Sequence, residues 1–217
     1  MAVLALDHLV YGVPDLDAAV EIIARRWGVQ PTPGGRHEGL GTANYLVSLG
    51  PHSYLEIIGP DREAPDPEQP RPFGVSPFRQ PRLLGWAVQV AEIDEVVKES
   101  RRVGYDPGPI RPMSRHRPDG SRLQWRLAVP AGGRLAYGGT VPFVIDWGTS
   151  HHPARDLPAG CKLLSLDVEH PNSEEALGAI EALGALDALG SRLEVMTARF
   201  SRLRARISTP KGKVILR

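Results

Sequence analysis

The chain has 217 residues, with 26 Lys and Arg against 25 Asp and Glu, a formal net charge of +1 and 41% hydrophobic residues. This composition is enough to build an ordinary buried core, and it excludes both a disordered tail and a strongly basic nucleic-acid-binding protein. Gly and Pro number 23 and 21, which predicts many turns and few long helices.

A single cysteine, Cys161, excludes an internal disulfide framework and a multi-cysteine zinc site. We expect no secretory leader, because no charged, apolar, small-residue pattern opens the sequence, and no apolar run approaches the roughly 18 residues that cross a bilayer. We therefore expect a cytoplasmic protein with neither nucleic-acid nor membrane partners.

The first segment of the chain predicts the element order βαβββ. A helix opens after Pro14 and ends before Gly28, and a glycine-dense loop is expected from Gly34 to Gly41. The predicted strands lie at 5–13, near Val29, at 42–49 and at 54–58.

The same order recurs after residue 82. A helix is predicted over 93–103, and the strands lie at 83–90, 110–114, 122–128 and 142–147. Residues 60–82 carry seven prolines in 23 positions and read as a surface linker between the two modules. The modules therefore span about residues 4–59 and 83–148, within a domain of residues 1–150.

A third and shorter segment repeats the order βαβββ. It has a strand at 162–168 and a helix from about 173 to 183, capped by Asn172. Three further strands are predicted near 193–199, 202–208 and 213–216. The predicted fold class is α+β, with two tandem modules followed by a βαβββ-like half-module in residues 151–217.

This succession of units resembles the vicinal oxygen chelate superfamily of glyoxalases, extradiol dioxygenases and bleomycin-resistance proteins. Short phrases over about residues 4–148 look like its glyoxalase-like branch: LDHLV at 6–10, GGRH at 34–37, GTAN at 41–44, YLE at 54–56, PDG at 118–120, WRLA at 125–128 and PFVIDW at 142–147. The resemblance implies a cup-shaped, barrel-like mixed sheet. It implies no single reaction, because the superfamily hosts several chemistries and non-catalytic drug binders.

Two residues of the first module stand at the places where that superfamily binds a metal. Strand alternation puts His8 and Glu56 on the cup-facing sides of the first and last strands. An imidazole and a carboxylate suit a divalent ion such as Zn²⁺, Mn²⁺ or Fe²⁺. In the second module Gly85 and Ile145 take the equivalent places, so the sequence supplies two of the usual four ligands.

His37 is the candidate for a third ligand. It lies in the predicted glycine-rich loop, whose flexibility would suit a lip over the cup mouth. The metal set would then be His8, Glu56 and His37, which resembles a facial triad, and either Glu56 or His37 would handle a proton. The competing interpretation is a satisfied core histidine, a paired carboxylate and a loop-capping histidine, so the cofactor is left open between a divalent metal and none.

Four further residues are candidates for ligand binding. Phe143 and Trp147 share a face with Ile145, and an aromatic wall there favours a planar or apolar ligand. Asn44 would bond a ligand carbonyl or close its own loop. Arg115 would guide a carboxylate or phosphate, although a solvated hairpin is the simpler interpretation and the one favoured here.

Two functions follow as hypotheses. The first is a metal-dependent lyase, isomerase or dioxygenase acting on a small oxygen-rich substrate, and the second is a metal-free protein that binds or sequesters an apolar compound. A homodimer is also expected, formed through apolar faces of the third segment such as Leu166 with Val168 and Leu203 with Ile207. In the alternative, that segment packs on the first two within one chain.

Overall fold

The computed structural model describes residues 3–37, 39–65, 71–75, 79–117 and 120–217. Eight strands form a closed barrel: β1 (Val3–Gly12), β2 (Thr32–His37), β3 (Thr42–Gly50), β4 (Ser53–Pro60), β5 (Arg82–Val90), β6 (Ile110–His116), β7 (Arg122–Ala128) and β8 (Phe143–Asp146). Their order around the barrel is β1-β4-β3-β2-β6-β7-β8-β5. The predicted α+β class and barrel-like mixed sheet are confirmed. Most of the predicted turn at 118–120 and part of the predicted linker lie outside the described residues.

One helix per module covers the outside of the barrel: α1 (Leu16–Trp27) follows β1, and α2 (Ile93–Arg102) follows β5. The side chain of Asp15 caps the start of α1 by accepting from the backbone N–H of Ala18. Gly28 ends the helix with a positive φ of 74°. The outward-facing apolar side chains of β1 and β4 belong to the same buried cluster as these helices, so the other faces are left to line the interior.

The two modules join along two seams, β1 with β5 and β2 with β6. The second seam corrects the predicted loop at 34–41, because its first half, residues 34–37, belongs to strand β2. Gly34 and Gly35 are needed there for close approach: a Cβ on Gly34 would lie 2.2 Å from Asn44 Oδ1, and one on Gly35 would lie 2.2 Å from the carbonyl oxygen of His116. The glycines therefore mark a strand crossing, and the expected flexible lip is wrong.

The C-terminal part forms a separate four-stranded sheet. Its elements are β9 (Lys162–His170), α3 (Ser173–Ala182), the short helix α4 (Leu186–Leu189), β10 (Leu193–Thr197), β11 (Arg202–Thr209) and β12 (Gly212–Leu216). The predicted βαβββ succession is present, with α4 added. The strand order β10-β9-β11-β12 differs from a barrel module, in which the first strand pairs with the last. This sheet is therefore not a third copy of the half-barrel.

The apolar face of the second sheet is covered within the chain. Leu166, Val168, Leu203 and Ile207 are buried in the same apolar cluster as the inner face of α3 and the barrel helices. The homodimer surface predicted from these residues is wrong, because they are not available to a second copy. No helix in the described ranges has both the length and the apolar character needed to span a membrane.

Candidate functional site

A cavity of about 540 Å³ lies inside the barrel and opens to one side. Polar side chains from the first module line one wall: His8, His37, Asn44, Tyr54 and Glu56. Apolar side chains from the second module line the other: Trp125, Leu127, Phe143, Ile145 and Trp147. Arg111 and Arg115 of β6 contribute two cations. Every residue proposed from the sequence as a site residue thus lines this cavity, while the role of each stays a prediction.

His8 is oriented by its neighbour in sequence, Asp7. The pairing of β1 with β5 shifts register between Leu6 and His8, so Asp7 is an extra residue in a β-bulge. The bulge lets consecutive side chains meet, with Asp7 Oδ1 lying 2.6 Å from His8 Nδ1. Because an ionised carboxylate can only accept hydrogen bonds, the proton of His8 sits on Nδ1, and Nε2 faces the cavity.

Asp7 is fully buried at the centre of a hydrogen-bond network. Its Oδ2 accepts from Trp147 Nε1 at 2.8 Å and lies 3.0 Å from His152 Nε2. Burial alone would raise the pKa of Asp7, but the hydrogen bonds and charges of His152 and His8 outweigh it and lower the pKa to about 2. Asp7 is therefore an ionised carboxylate at neutral pH.

Glu56 occupies the middle of the polar wall. Its Oε2 lies 3.7 Å from His8 Nε2, and its Oε1 lies 3.9 Å from His37 Nε2. Asn44 Nδ2 donates to Oε1 at 2.5 Å. In the described part of the chain Glu56 has no ion pair with Lys or Arg, so its carboxylate is buried with one short hydrogen bond and two nearby imidazoles.

Asn44 links Glu56 to Arg115. The Arg115 Nη1 donates to Asn44 Oδ1 at 2.7 Å, while the amide nitrogen of Asn44 donates to Glu56. A guanidinium only donates and a carboxylate only accepts, so the two ends of the amide are fixed by their partners. Asn44 therefore has a structural partner on each side and holds the carboxylate of Glu56 in place.

His37 ends strand β2 and is held by the hydroxyl of Thr42, 2.9 Å from its Nδ1. Burial lowers the pKa of His37, the charge of Glu56 opposes this, and the charge of Arg115 adds to it. Its imidazole is accordingly neutral near pH 7. It adjoins Glu56 from a rigid strand, not from the mobile loop that the glycines suggested.

Two aromatic rings pack against His8. The ring of Tyr54 stacks on His8 with centroids 4.9 Å apart, and Phe143 meets His8 edge-on at 5.4 Å. Trp125 and Trp147 lie 5.3 Å apart on the opposite wall. Trp147 thus has a second role beyond the wall predicted from the sequence, because its indole N–H also bonds Asp7.

The four-ligand metal set of the superfamily does not fit this cavity. A Cβ on Gly85 would lie 2.2 Å from Leu135 Cδ1, so an apolar side chain fills that place, and Ile145 stands at the other. Among the described residues, no three His, Cys, Asp or Glu side chains converge as a metal-holding group. His8 and Glu56 remain as a partial donor pair, and the bond of His8 to Asp7 has the form found behind metal-bound histidines.

Asp7 supports the site and was missed by sequence reasoning, which favoured a plain loop role for its partner His152. Strand alternation puts Asp7 on the face opposite to His8, and His152 follows the last barrel strand in what reads as a loop. The signal for Asp7 was its position directly before a candidate ligand. The β-bulge that brings Asp7 and His8 together has no recognisable sequence pattern.

The sequence of this chain matches the family model of the glyoxalase-like domain over residues 6–184. The chain belongs to this glyoxalase-like family. The resemblance predicted from the short phrases is thereby confirmed. The match extends beyond the barrel to α3, so it covers the first part of the C-terminal sheet as well. No curated protein matches the sequence.

One solved structure shows the same fold. A hypothetical protein from Staphylococcus aureus aligns with a TM-score of 0.62 at 15% identity, covering 91% of this chain and 88% of that one. Methylmalonyl-CoA epimerase from Mycobacterium tuberculosis aligns with a TM-score of 0.42 at 21% identity, covering 66% and 88%. A methylmalonyl-CoA epimerase in complex with methylmalonyl-CoA and NH4⁺ gives 0.43 at 20% identity, covering 70% and 100%.

Proposed function

We propose that this glyoxalase-like protein binds a small organic molecule in the barrel cavity and moves a proton on it, with Glu56 as the acid–base group. One observation carries the proposal. Glu56 is a buried carboxylate that faces the cavity, has no cationic Lys or Arg partner among the described residues, and lies opposite an apolar wall. A carboxylate so placed can take a proton from carbon and return it, which is isomerase or lyase chemistry.

The neighbours of Glu56 give its two carboxylate oxygens different roles. Asn44 bonds Oε1, so Oε2, next to His8 Nε2, is the oxygen left for the ligand. His8 Nε2 faces that oxygen because the bond from Nδ1 to Asp7 orients the ring. Neutral His37 adjoins the same carboxylate and relays or shares its proton.

The apolar wall orients the ligand. Phe143, Ile145 and Trp147 cover the side of the cavity opposite Glu56, which suits an aromatic or branched apolar body. The reacting, oxygen-bearing end then faces the polar wall. A bound apolar body would exclude water from that side, which would strengthen the electrostatic interactions of the polar side.

A divalent metal is the second candidate, favoured by the carboxylate–histidine bond behind His8. His8 Nε2 and Glu56 would hold it, with His37 as the third predicted donor. When bound, such an ion would polarise a carbonyl or enolate oxygen of the substrate. Metal-free binding without chemistry is the alternative function, and the apolar residues at the other two ligand places favour it.

The proposal is tested by hydrogen exchange on carbon. Small carbonyl compounds with an acidic C–H are incubated with the protein in D₂O, and deuterium incorporation is followed by NMR. We expect exchange above background with the wild type and with Glu21→Gln, an exposed control on α1. Glu56→Gln should abolish it. If compounds raise the melting temperature and so bind, but none of them exchanges hydrogen, the protein is a binding or sequestering protein and not an enzyme.

Two further expectations stay proposals. We propose a cytoplasmic location, which imaging of a tagged chain would test. We also propose a homodimer. Its interface would not use the apolar faces of the second sheet that were first predicted for it. Light scattering at micromolar concentration tests the dimer, and a mass near 23.6 kDa that does not change on dilution would exclude it.

A further inference from the structure

We infer that the ligand of this cavity is a monoanionic carboxylate with an apolar or aromatic body, and that Arg115 binds its carboxylate group. The inference rests on the proposed function and names the substrate class of the same site. It comes from the way in which Arg115 is buried.

Arg115 is a buried cation without an anion of its own. This residue of β6 is only 4% exposed, and in the described residues its side chain makes one hydrogen bond, from Nη1 to Asn44 Oδ1. No Asp or Glu in the described ranges forms an ion pair with it. A charged group removed from water is stable only when its donors are satisfied and its charge is balanced.

The other guanidinium donors of Arg115 face the cavity. Among the described residues, the buried side-chain atoms that lack any partner are Ser165 Oγ and Arg204 Nε, both in the second sheet. The remaining Arg115 nitrogens are therefore neither bonded nor sealed inside protein, and Arg115 lines the cavity. They form an open donor fork, which matches the two oxygens of a carboxylate.

Charge balance favours a carboxylate over a phosphate. Glu56 is already on the same wall, joined to Arg115 through Asn44. Arg111, Arg115 and Glu56 together give the cavity lining a net charge of +1, which one added negative charge balances, whereas a dianionic phosphate would leave excess negative charge beside a buried carboxylate. The apolar wall of Phe143, Ile145 and Trp147 then receives the body of the ligand.

The link through Asn44 also limits which carbon reacts. The anion-binding group and the proton-transferring group are joined by a single side-chain amide, so the carbon that Glu56 reaches lies within a few bonds of the bound carboxylate. Arylacetic and aryl-substituted 2-oxo acids are of this type.

The test uses matched pairs of acid and neutral amide on the full chain. Phenylacetate, 3-phenylpropionate and phenylpyruvate are compared with the corresponding amides by calorimetry at constant ionic strength. We expect each acid to bind the wild type about 10- to 100-fold more tightly than its amide, the range for charge-assisted hydrogen bonds. Arg115→Gln should remove this preference, and Arg115→Lys should restore part of it because it keeps the charge.

Arg117→Gln is the matched control, since it removes the same charge two residues away from an arginine that pairs with Asp156. It should retain the preference for acids. Circular dichroism at the assay temperature establishes that each variant is folded. Loss of the preference in Arg117→Gln as well would assign it to general charge and overturn the inference.

The outcomes separate this inference from the proposed function. Equal binding of acids and amides by the wild type, or a preference for acids that survives in folded Arg115→Gln, would overturn the role of Arg115 alone. The absence of binding by every acid and every amide would count against both. Acid binding that depends on Arg115, without carbon exchange that depends on Glu56, would uphold the anion site and reject the catalytic proposal.

Discussion

Asp7 and His8 are consecutive on one strand, yet the carboxylate of the first bonds the ring of the second at 2.6 Å. In a regular strand they would point to opposite faces. The bulge between the Leu6–Val88 and His8–Ala87 pairs removes that alternation, so Asp7 lies beneath the cavity floor. There it also bonds Trp147 of the second module and His152 beyond it, and so joins three distant parts of the chain.

Asp7→Asn should destabilise the protein more than an ordinary substitution. An amide keeps the size of the group but cannot accept all three hydrogen bonds as a charged carboxylate does. We expect a loss of about 3 kcal/mol or more in the free energy of unfolding, the cost typical of a broken buried charge network. Urea denaturation at pH 7 measures it. Asp187→Asn on the exposed side of α4 is the control, and an equal loss in both variants would contradict the prediction.

Stability should fall in acid through the same residue. The pKa of Asp7 is about 2 in the folded chain against an ordinary value of 3.8, so the unfolded chain binds the proton first as pH falls. The contribution is complete above pH 4 and is lost towards pH 2, and it amounts to about 2 kcal/mol. Urea denaturation of the wild type and Asp7→Asn between pH 5 and 2.5 should give curves that converge. A constant gap between them would contradict this assignment.

His37 adds a second acid-sensitive step at higher pH. Burial lowers its pKa below 6.5, so the unfolded chain takes up this proton more readily and stability falls as pH drops below that value. His37→Gln should remove this part of the pH dependence. The control is His151→Gln, because His151 is half-exposed and its ring bonds Asp156 outside the cavity. An unchanged profile for His37→Gln would show that His37 does not titrate differently on folding.

Gly34→Ala should disrupt the site without altering any polar group. The new methyl carbon would lie 2.2 Å from Asn44 Oδ1 and 2.4 Å from Arg115 Nη1, so the Asn44–Arg115 bond must break or β2 must shift. We expect a loss of about 1–3 kcal/mol in stability together with weaker carboxylate binding. Gly178→Ala in α3 meets nothing within 4 Å and should be neutral or stabilising. Denaturation and calorimetry of both variants check this, and unchanged binding by Gly34→Ala would be contrary to it.

Metal binding through the first module predicts a defined pattern of loss. If His8 and Glu56 hold an ion, then Zn²⁺, Mn²⁺ or Fe²⁺ raises the melting temperature of chelator-treated protein, and the double variant His8→Ala with Glu56→Ala does not respond. His151→Ala serves as the control at a histidine outside the cavity. Stoichiometric metal that persists in the double variant would place the ion elsewhere. If none of the metals raises the melting temperature of the wild type, His8 and Glu56 do not hold an ion, and acid–base chemistry is the role that remains for them.

Local sequence determined most of the elements and the cavity-facing positions of β1 and β4. Period-two alternation on β1 and β4 put His8 and Glu56 on the cavity side, and the βαβββ repeats led to the correct fold class. Caps such as Asp15 and Gly28 set the ends of α1. These features follow from neighbours in the chain, so a single sequence displays them.

Tertiary structure decided what the sequence left open. The glycines of β2 read as a loop because their reason, the close approach of Asn44, Arg115 and His116, comes from distant strands. The strand order of the second sheet depends on which edges meet after folding, and that choice buried the apolar faces expected to form a dimer. Asp7 contacts His8 because β1 has one extra residue, a β-bulge, in its pairing with β5. That register is set by packing across the barrel, which no local pattern encodes.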